Sequence, residues 1–212
     1  MNRLLVFLML LILPSTALAA DPIQDQPHWS LELKSGKFAP ALERWAEYYE
    51  KRSIAQYSGT LAYKLVLQVE AGIGVGTMKA RGSAYAPLHN AKTGSVVLEL
   101  LPVQAFVLVR GLVNEDQWIV PYVGGGLTRM YYRERAEDQA KVTGAVNGYH
   151  VRGGLQLCLD NLDRSAANNM YLDYGVHHTY FFAEMERTHA VVKSTSAQLG
   201  GTAYLFGLLF EY

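Results

Sequence analysis

A chain of 212 residues is long enough for one domain with a sizeable core, or for two small ones. Its 19 basic and 19 acidic side chains cancel, only 18% of residues are charged, and no block of like charge stands out, so there is no electrostatic basis for binding nucleic acid. Half of the residues are hydrophobic, yet glycine (19) and tyrosine (14) are plentiful and tyrosine outnumbers phenylalanine (7), a bias toward surfaces that are part wet and part apolar.

The chain begins MNRLLVFLMLLILPSTALAADP: Arg3, an apolar run from Leu4 to Leu13, Pro14, then the small-x-small pattern Ala17-Leu18-Ala19. The run is about half of the roughly 20 residues that a helix needs to cross a bilayer. It reads as a signal peptide over 1–19, cleaved after Ala19 or Ala20, with the mature chain from 20 to 212. No cysteine stands directly after it, so a lipoprotein is excluded, and the single Cys158 rules out an intramolecular disulfide.

Beyond the leader the recurrent signal is alternation with period two, the mark of a strand with two unlike faces. A first strand is expected over about 28–38, where Trp29, Leu31 and Leu33 alternate with Ser30, Glu32 and Lys34. In the next stretch, 39–59, Leu42, Trp45 and Tyr49 fall at helical spacing. That spacing predicts a short amphipathic helix within 39–52, on a barrel mouth, in a lipid interface or simply packed on its neighbours. Over 60–84, Leu61, Tyr63, Leu65, Leu67 and Val69 oppose Lys64 and Glu70. This is either one long strand or a hairpin turning near Glu70-Ala71-Gly72; the hairpin is adopted, because it gives eight strands and bacterial single-chain barrels have even numbers.

Segment 96–111 changes phase at Pro102, which suggests a bulge. Segment 118–133 places Arg129 and Arg133 on one face and Met130 and Tyr132 on the other, and 146–160 sets Tyr149, Val151, Leu155, Leu157 and Leu159 against His150, Arg152, Gln156, Cys158 and Asp160. A strand over 169–185 would set Met170, Leu172, Tyr174, Val176, Tyr180 and Phe182 against Asp173, Gly175, His177 and Thr179. The last segment, 198–212, carries Tyr204, Phe206, Leu208, Phe210 and Tyr212 on its even face. Polar turns fall at 113–118 and 161–169, and longer loops at 39–59, 85–95, 134–145 and 186–197.

These strands run near ten residues and often more, against about five or six in soluble sheets. Length, export and aromatics near strand ends together favour an all-β, eight-stranded, antiparallel, up-and-down transmembrane barrel over a soluble sandwich. In lipid every backbone polar group must pair within the protein. The last strand must therefore pair with the first, with its even face toward lipid. Interface aromatics are expected at Trp29, Tyr63, Trp118, Tyr122, Tyr132, Tyr149, Tyr180, Phe182, Tyr204 and Tyr212. Inward positions are assigned to Glu32, Lys34, Lys64, Glu70, Arg129, Arg133, Arg152, Asp160, Asp173, His177 and Glu211. An eight-stranded barrel is just wide enough to be filled by side chains, and buried charges must be paired, so a salt-bridged lumen is expected rather than an open pore.

PYVGGGLTRMYY, from Pro121, resembles the Pro-Tyr-Val-Gly-x-Gly-Leu strand of small Gram-negative outer-membrane barrels, the OmpA-like and OmpW-like group, and the terminal GLLFEY resembles their closing strand. The resemblance implies an outer-membrane location among lipids and lipopolysaccharide. It also implies a last strand read by the outer-membrane assembly machinery. A single chain that closes its own barrel is expected to be a monomer, without a cofactor or a nucleic-acid partner. The expected role is structural or surface interaction. Two alternatives remain: an OmpW-like conduit for small hydrophobic compounds, favoured if the outer half of the lumen is apolar, and a lipid A hydrolase.

The chemistry for a hydrolase would have to come from GVHHTYFFAEME, with His177, His178, Thr179, Glu184 and Glu186, which is only loosely like a deacylase His-x-Ser strand. Parity sends His178 to lipid, away from His177. It likewise argues against metal binding by His177, His178 and His189. GIGVGTMKARG at 72–82 lacks the helix a phosphate site needs. No catalytic, cofactor or metal residue is expected.

Overall fold

The structure, a computed structural model, describes residues 27–43, 45–49, 51–83, 85–86, 88–89, 91–92, 94–114, 117–192 and 196–212; the leader assigned to 1–19 lies outside the described residues. Eight strands form one closed antiparallel sheet: β1 (Trp29–Pro40), β2 (Ile54–Val66), β3 (Val69–Gly82), β4 (Val96–Arg110), β5 (Ile119–Ala136), β6 (Val142–Cys158), β7 (His178–Val192) and β8 (Gly201–Glu211). Each pairs with its neighbours in sequence, and β8 pairs with β1 from Ser30 opposite Glu211 to Pro40 opposite Gly201. Past that ladder the amides of His28 and Trp29 donate to the Tyr212 carbonyl at 2.6 and 2.9 Å. The terminal strand is therefore bonded on both sides, as a sheet without edges requires.

The strands are 11 to 18 residues long, enough for each to cross a bilayer, which takes about 9–11. Outward positions carry Leu33, Leu61, Ile73, Val75, Val103, Val107, Val123, Leu127, Val151, Leu155, Phe206 and Leu208, all exposed. Water-soluble proteins rarely leave so large a contiguous apolar surface uncovered; this band faces lipid. Trp29, Tyr63, Trp118 and Tyr212 are exposed around the rim where the start of β1 meets the end of β8, the inner rim, and Tyr57, Tyr131, Tyr149 and Tyr204 lie toward the opposite, outer rim.

Several elements differ from the sequence expectation. The β2–β3 hairpin turns at Leu67–Gln68, not at Glu70–Gly72, and a register shift between Lys64 and Val66 accommodates the tight turn. β2 also starts at Ile54, inside the stretch read as a loop, because Gln56 and Thr60 point inward and blunt the apolar pattern. In β4 the register is constant and every even residue from Val96 to Arg110 is buried, so there is no bulge at Pro102. What the proline does is interrupt the β3–β4 ladder, which lapses between Val75–Val103 and Met78–Leu100 because proline has no amide hydrogen. In the PYVGGGL stretch, a Cβ on Gly126 would fall 1.9 Å from the Ala105 carbonyl oxygen, so only glycine lets β5 lie against β4 there.

The largest difference is at 169–185. Residues Arg164–Tyr174 form a helix, α2, capped by Asp163, whose carboxylate accepts from the amides of Ser165 and Ala166, and closed by Gly175 at φ 69°. β7 begins only at His178 and runs on to Val192. Met170, Leu172 and Tyr174 alternate in sequence but belong to an exposed helix at the inner rim. The expected loop helix, α1 (Trp45–Tyr49), is present.

Candidate functional site

The lumen is lined by alternate residues of all eight strands, and its charged side chains fall into tiers. Nearest the inner rim, Arg110 on β4 bonds to Glu70 at 2.9 Å and to Glu211, while Lys64 bonds to Glu211 at 2.7 Å and the Ser30 hydroxyl donates to Glu70 at 2.9 Å. The Arg110 guanidinium also lies 5.0 Å from the Tyr180 ring centroid. The next tier joins Arg152 to Glu32 at 2.9 Å and to Glu184 at 3.4 Å, and Lys34 to Glu184 at 2.7 Å. Thr60 and Tyr122 donate to Glu32 and Glu184 at 2.6 and 3.0 Å, and Arg152 stacks 4.0 Å above the Phe106 ring. Each tier balances two cations against two carboxylates, and burial makes that balance necessary. Above them Glu186 accepts from Gln104 at 2.9 Å and from Thr188 at 3.0 Å.

Toward the outer rim the lumen turns apolar. Phe38, Ile54, Met78, Leu98, Leu100, Met130, Val192 and Leu205 pack in one cluster with Trp45 and Tyr49 of α1. The two α1 rings stack at 4.1 Å and are buried, which settles the place of this helix on the barrel mouth. Glu134 ties the cap together: its carboxylate accepts from the amides of Leu88 and His89 and meets the Tyr49 hydroxyl and the His89 ring. Burial, and next the Glu134 carboxylate, push the Tyr49 hydroxyl well above its usual range, so it stays a neutral donor.

Of the residues assigned inward from sequence, Glu32, Lys34, Lys64, Glu70, Arg152 and Glu211 line the lumen and are buried. Arg129 and Arg133 do not. They face outward, Arg133 bonding Glu99 at 3.3 Å and Arg129 reaching Asn147 at 3.5 Å, because Met130 and Glu134 on the same strand fill the inward positions. Asp173 is exposed on α2, and His177 is half-buried against Tyr171 in the turn that follows. Asp160 lies at the inner mouth. Among the expected interface aromatics, Tyr122, Tyr180 and Phe182 are buried in the lumen and Tyr132 packs inward on the apolar cluster. Each belongs to a strand whose phase is opposite to the one assumed. Sequence reading omitted Arg110, Glu184 and Glu134 from the lumen set, although Arg110 shares the parity of Gln104 throughout β4.

The hydrolase candidates are scattered. Glu184 and Glu186 stand inside the barrel above the inner mouth, whereas His178 points inward beside Tyr180, not to lipid, and its Nδ1 lies 2.9 Å from Asp160. His189 is outward and stacks on Tyr149. Three potential ligands from different segments do meet: Cys158, Asp160 and His178.

No protein-family model matches the chain, and no curated protein sequence matches it. Solved structures do. The N-terminal β-barrel domain of Pseudomonas aeruginosa OprF aligns over 88% of this chain and 98% of its own at 12% identity, with a TM-score of 0.54. Neisserial surface protein A aligns over 87% and 97% at 10% identity and a TM-score of 0.59. The outer membrane protein OprG of P. aeruginosa aligns over 88% and 97% at 10% identity and 0.57. Such identities speak for the fold alone. With a closed antiparallel sheet, a lipid-facing band and β8 locked to β1, the chain has the fold of the small eight-stranded outer-membrane β-barrels.

Proposed function

We propose that this chain is exported by its leader and sits as a monomer in a Gram-negative outer membrane. Its lumen is closed to water by its own side chains, and its role is structural or surface-interacting. One observation carries this reading: two charge-balanced tiers cross the inner half of the lumen, and an apolar cluster capped by α1 fills the outer half. Outer-membrane structural neighbours support the location. Outward Lys79, Arg81, Arg129, Arg133 and Arg135 on β3 and β5 have Glu99 as the single outward carboxylate on the strand between them. Cations just above an apolar band suit the phosphates of lipopolysaccharide. The residues of the hydrolase reading do not converge on one outward site, which supports a non-enzymatic role.

A second reading, a conduit that releases small apolar compounds sideways into the membrane, is favoured by the lapse of the β3–β4 ladder at Pro102 and by the apolar outer lumen. A groove of about 550 Å³ there is bordered both by inward Met78, Leu100 and Tyr132 and by outward Lys79, Leu101 and Tyr131. Vesicles carrying the refolded barrel separate the two. The closed reading expects no steady single-channel conductance and no faster uptake of an apolar dye than in empty vesicles. Stable conductance would overturn it, and dye uptake that slows in Pro102→Ala would establish the conduit.

The closing strand would be what the assembly machinery reads. Phe210→Ala with Tyr212→Ala removes outward rings at the interface, each worth less than the roughly 1.5–3 kcal/mol of a fully buried side chain. It keeps Glu211, whose bonds to Arg110 and Lys64 a truncation would destroy. The double variant should refold in detergent yet accumulate poorly in the outer membrane of cells. Normal surface levels would remove the assembly role.

A further inference from the structure

Cys158, Asp160 and His178 take no part in the charged tiers, yet one ligand atom of each lies within 4.8 Å of the others. The backbone brings them together. Cys158 ends β6 with its amide bonded to the Trp118 carbonyl at 2.9 Å, and the Leu159 amide bonds to the Thr179 carbonyl at 2.9 Å, which folds the turn back over the start of β7. Asp160 is then fixed twice, accepting the Thr179 amide on Oδ1 at 3.1 Å and meeting His178 Nδ1 through Oδ2 at 2.9 Å. The thiol is buried and has no disulfide partner.

A soft sulfur, an imidazole and a carboxylate form a donor set suited to zinc and ions like it. The group borders a pocket of about 350 Å³ at the inner rim, together with Asn161, Arg164 and Asn168. Three protein ligands beside a pocket leave a fourth position for water or a small anion, the arrangement of zinc sites that stay open. We propose that Cys158, Asp160 and His178 form a divalent transition-metal site, selective for zinc-like cations, at the inner rim of the barrel. On binding, the Cys158 thiol gives its proton to solvent, and the neutral imidazole binds through Nδ1 with its proton on Nε2. The cation takes the place of the hydrogen between His178 and Asp160. The site would pin the turn before α2 to the start of β7.

The test uses tag-free, refolded barrel in detergent, with cobalt(II) and zinc(II) as probes. One equivalent of cobalt should give a near-ultraviolet thiolate-to-cobalt charge-transfer band that zinc abolishes. Cys158→Ser should lose the band, and Asp160→Asn or His178→Gln should weaken zinc binding at least about tenfold, since even outer-shell partners are worth 10–100-fold. Heat-modifiable migration identifies the variants that still form the barrel. Absence of the band in the wild-type protein overturns the proposal without any variant, as does a band surviving Cys158→Ser or zinc affinity unchanged in His178→Gln.

Discussion

Replacing Arg152 with methionine should cost the barrel about 3–5 kcal/mol, the loss typical when one partner of a buried ion pair is removed and the other charge stays behind. Arg152 holds both Glu32 and Glu184, at 2.9 and 3.4 Å, and without it the two carboxylates share Lys34 alone. Methionine keeps much of the contact with the Phe106 ring, so the loss reports charge rather than volume. Urea titration of the refolded protein measures it. Adding Glu32→Gln to Arg152→Met should recover part of the stability, because Lys34 and Glu184 then balance. A loss below about 1 kcal/mol would mean that the tier does not hold the barrel together, and a double variant no better than the single one would mean that charge is not the cause.

Leu33→Arg should cost about 2–4 kcal/mol, the figure for a cation near the bilayer midplane on the lipid face. Leu33 is outward on β1, paired with Leu208 on one side and Gly59 on the other, midway between the inner and outer aromatic rims. Leu172 offers the control. It is also an exposed leucine, but it lies on α2 beyond the sheet, so Leu172→Arg should shift stability by no more than about 0.5 kcal/mol. Equal effects in urea titrations from lipid vesicles would show that the exposed apolar band is not in contact with lipid.

The contrast between these leucines marks how far the sequence could be read. In β6 the inner half sets Val151, Leu155 and Leu157 against His150, Arg152 and Gln156, and in β8 every ring lies on the even face with Glu211 on the other, so alternation gives both the strand and its orientation. β5 is different: Arg129 and Arg133 oppose Met130 and Tyr132, and alternation separates the two sets without saying which is inside. That is decided by neighbours far away in sequence, because the outer lumen is apolar and the outward ladder offers Glu99. Tyr122, Tyr180 and Phe182 misled for a related reason. An aromatic ring suits a membrane interface, but it equally suits an inward contact with an arginine or a carboxylate, as Tyr180 and Tyr122 make. α2 carried its own signals in Asp163 and Gly175, an N-cap and a left-handed C-cap eleven residues apart in helix length. The period-two run across Met170, Leu172 and Tyr174 outweighed them only because a helix without a buried face leaves no helical periodicity to compete. The meeting of Cys158, Asp160 and His178 had no local signature, since strand parity says nothing about how a turn folds over the mouth.

The junction between Tyr212 and the His28–Trp29 amides has a topological consequence. The ladder from Ser30–Glu211 to Pro40–Gly201 is as regular as those between strands joined in sequence, and both ends of the described barrel emerge at one rim, a hydrogen bond apart. The closed sheet thus has no intrinsic first strand. A circular permutant that joins Tyr212 to Pro27 through a short linker and opens instead in the inner connection between β4 and β5 keeps every interstrand pairing and leaves both new ends at the inner rim. It changes only the order in which the strands are synthesised and which of them is presented last, so it separates the information for the barrel's shape from the information for its delivery.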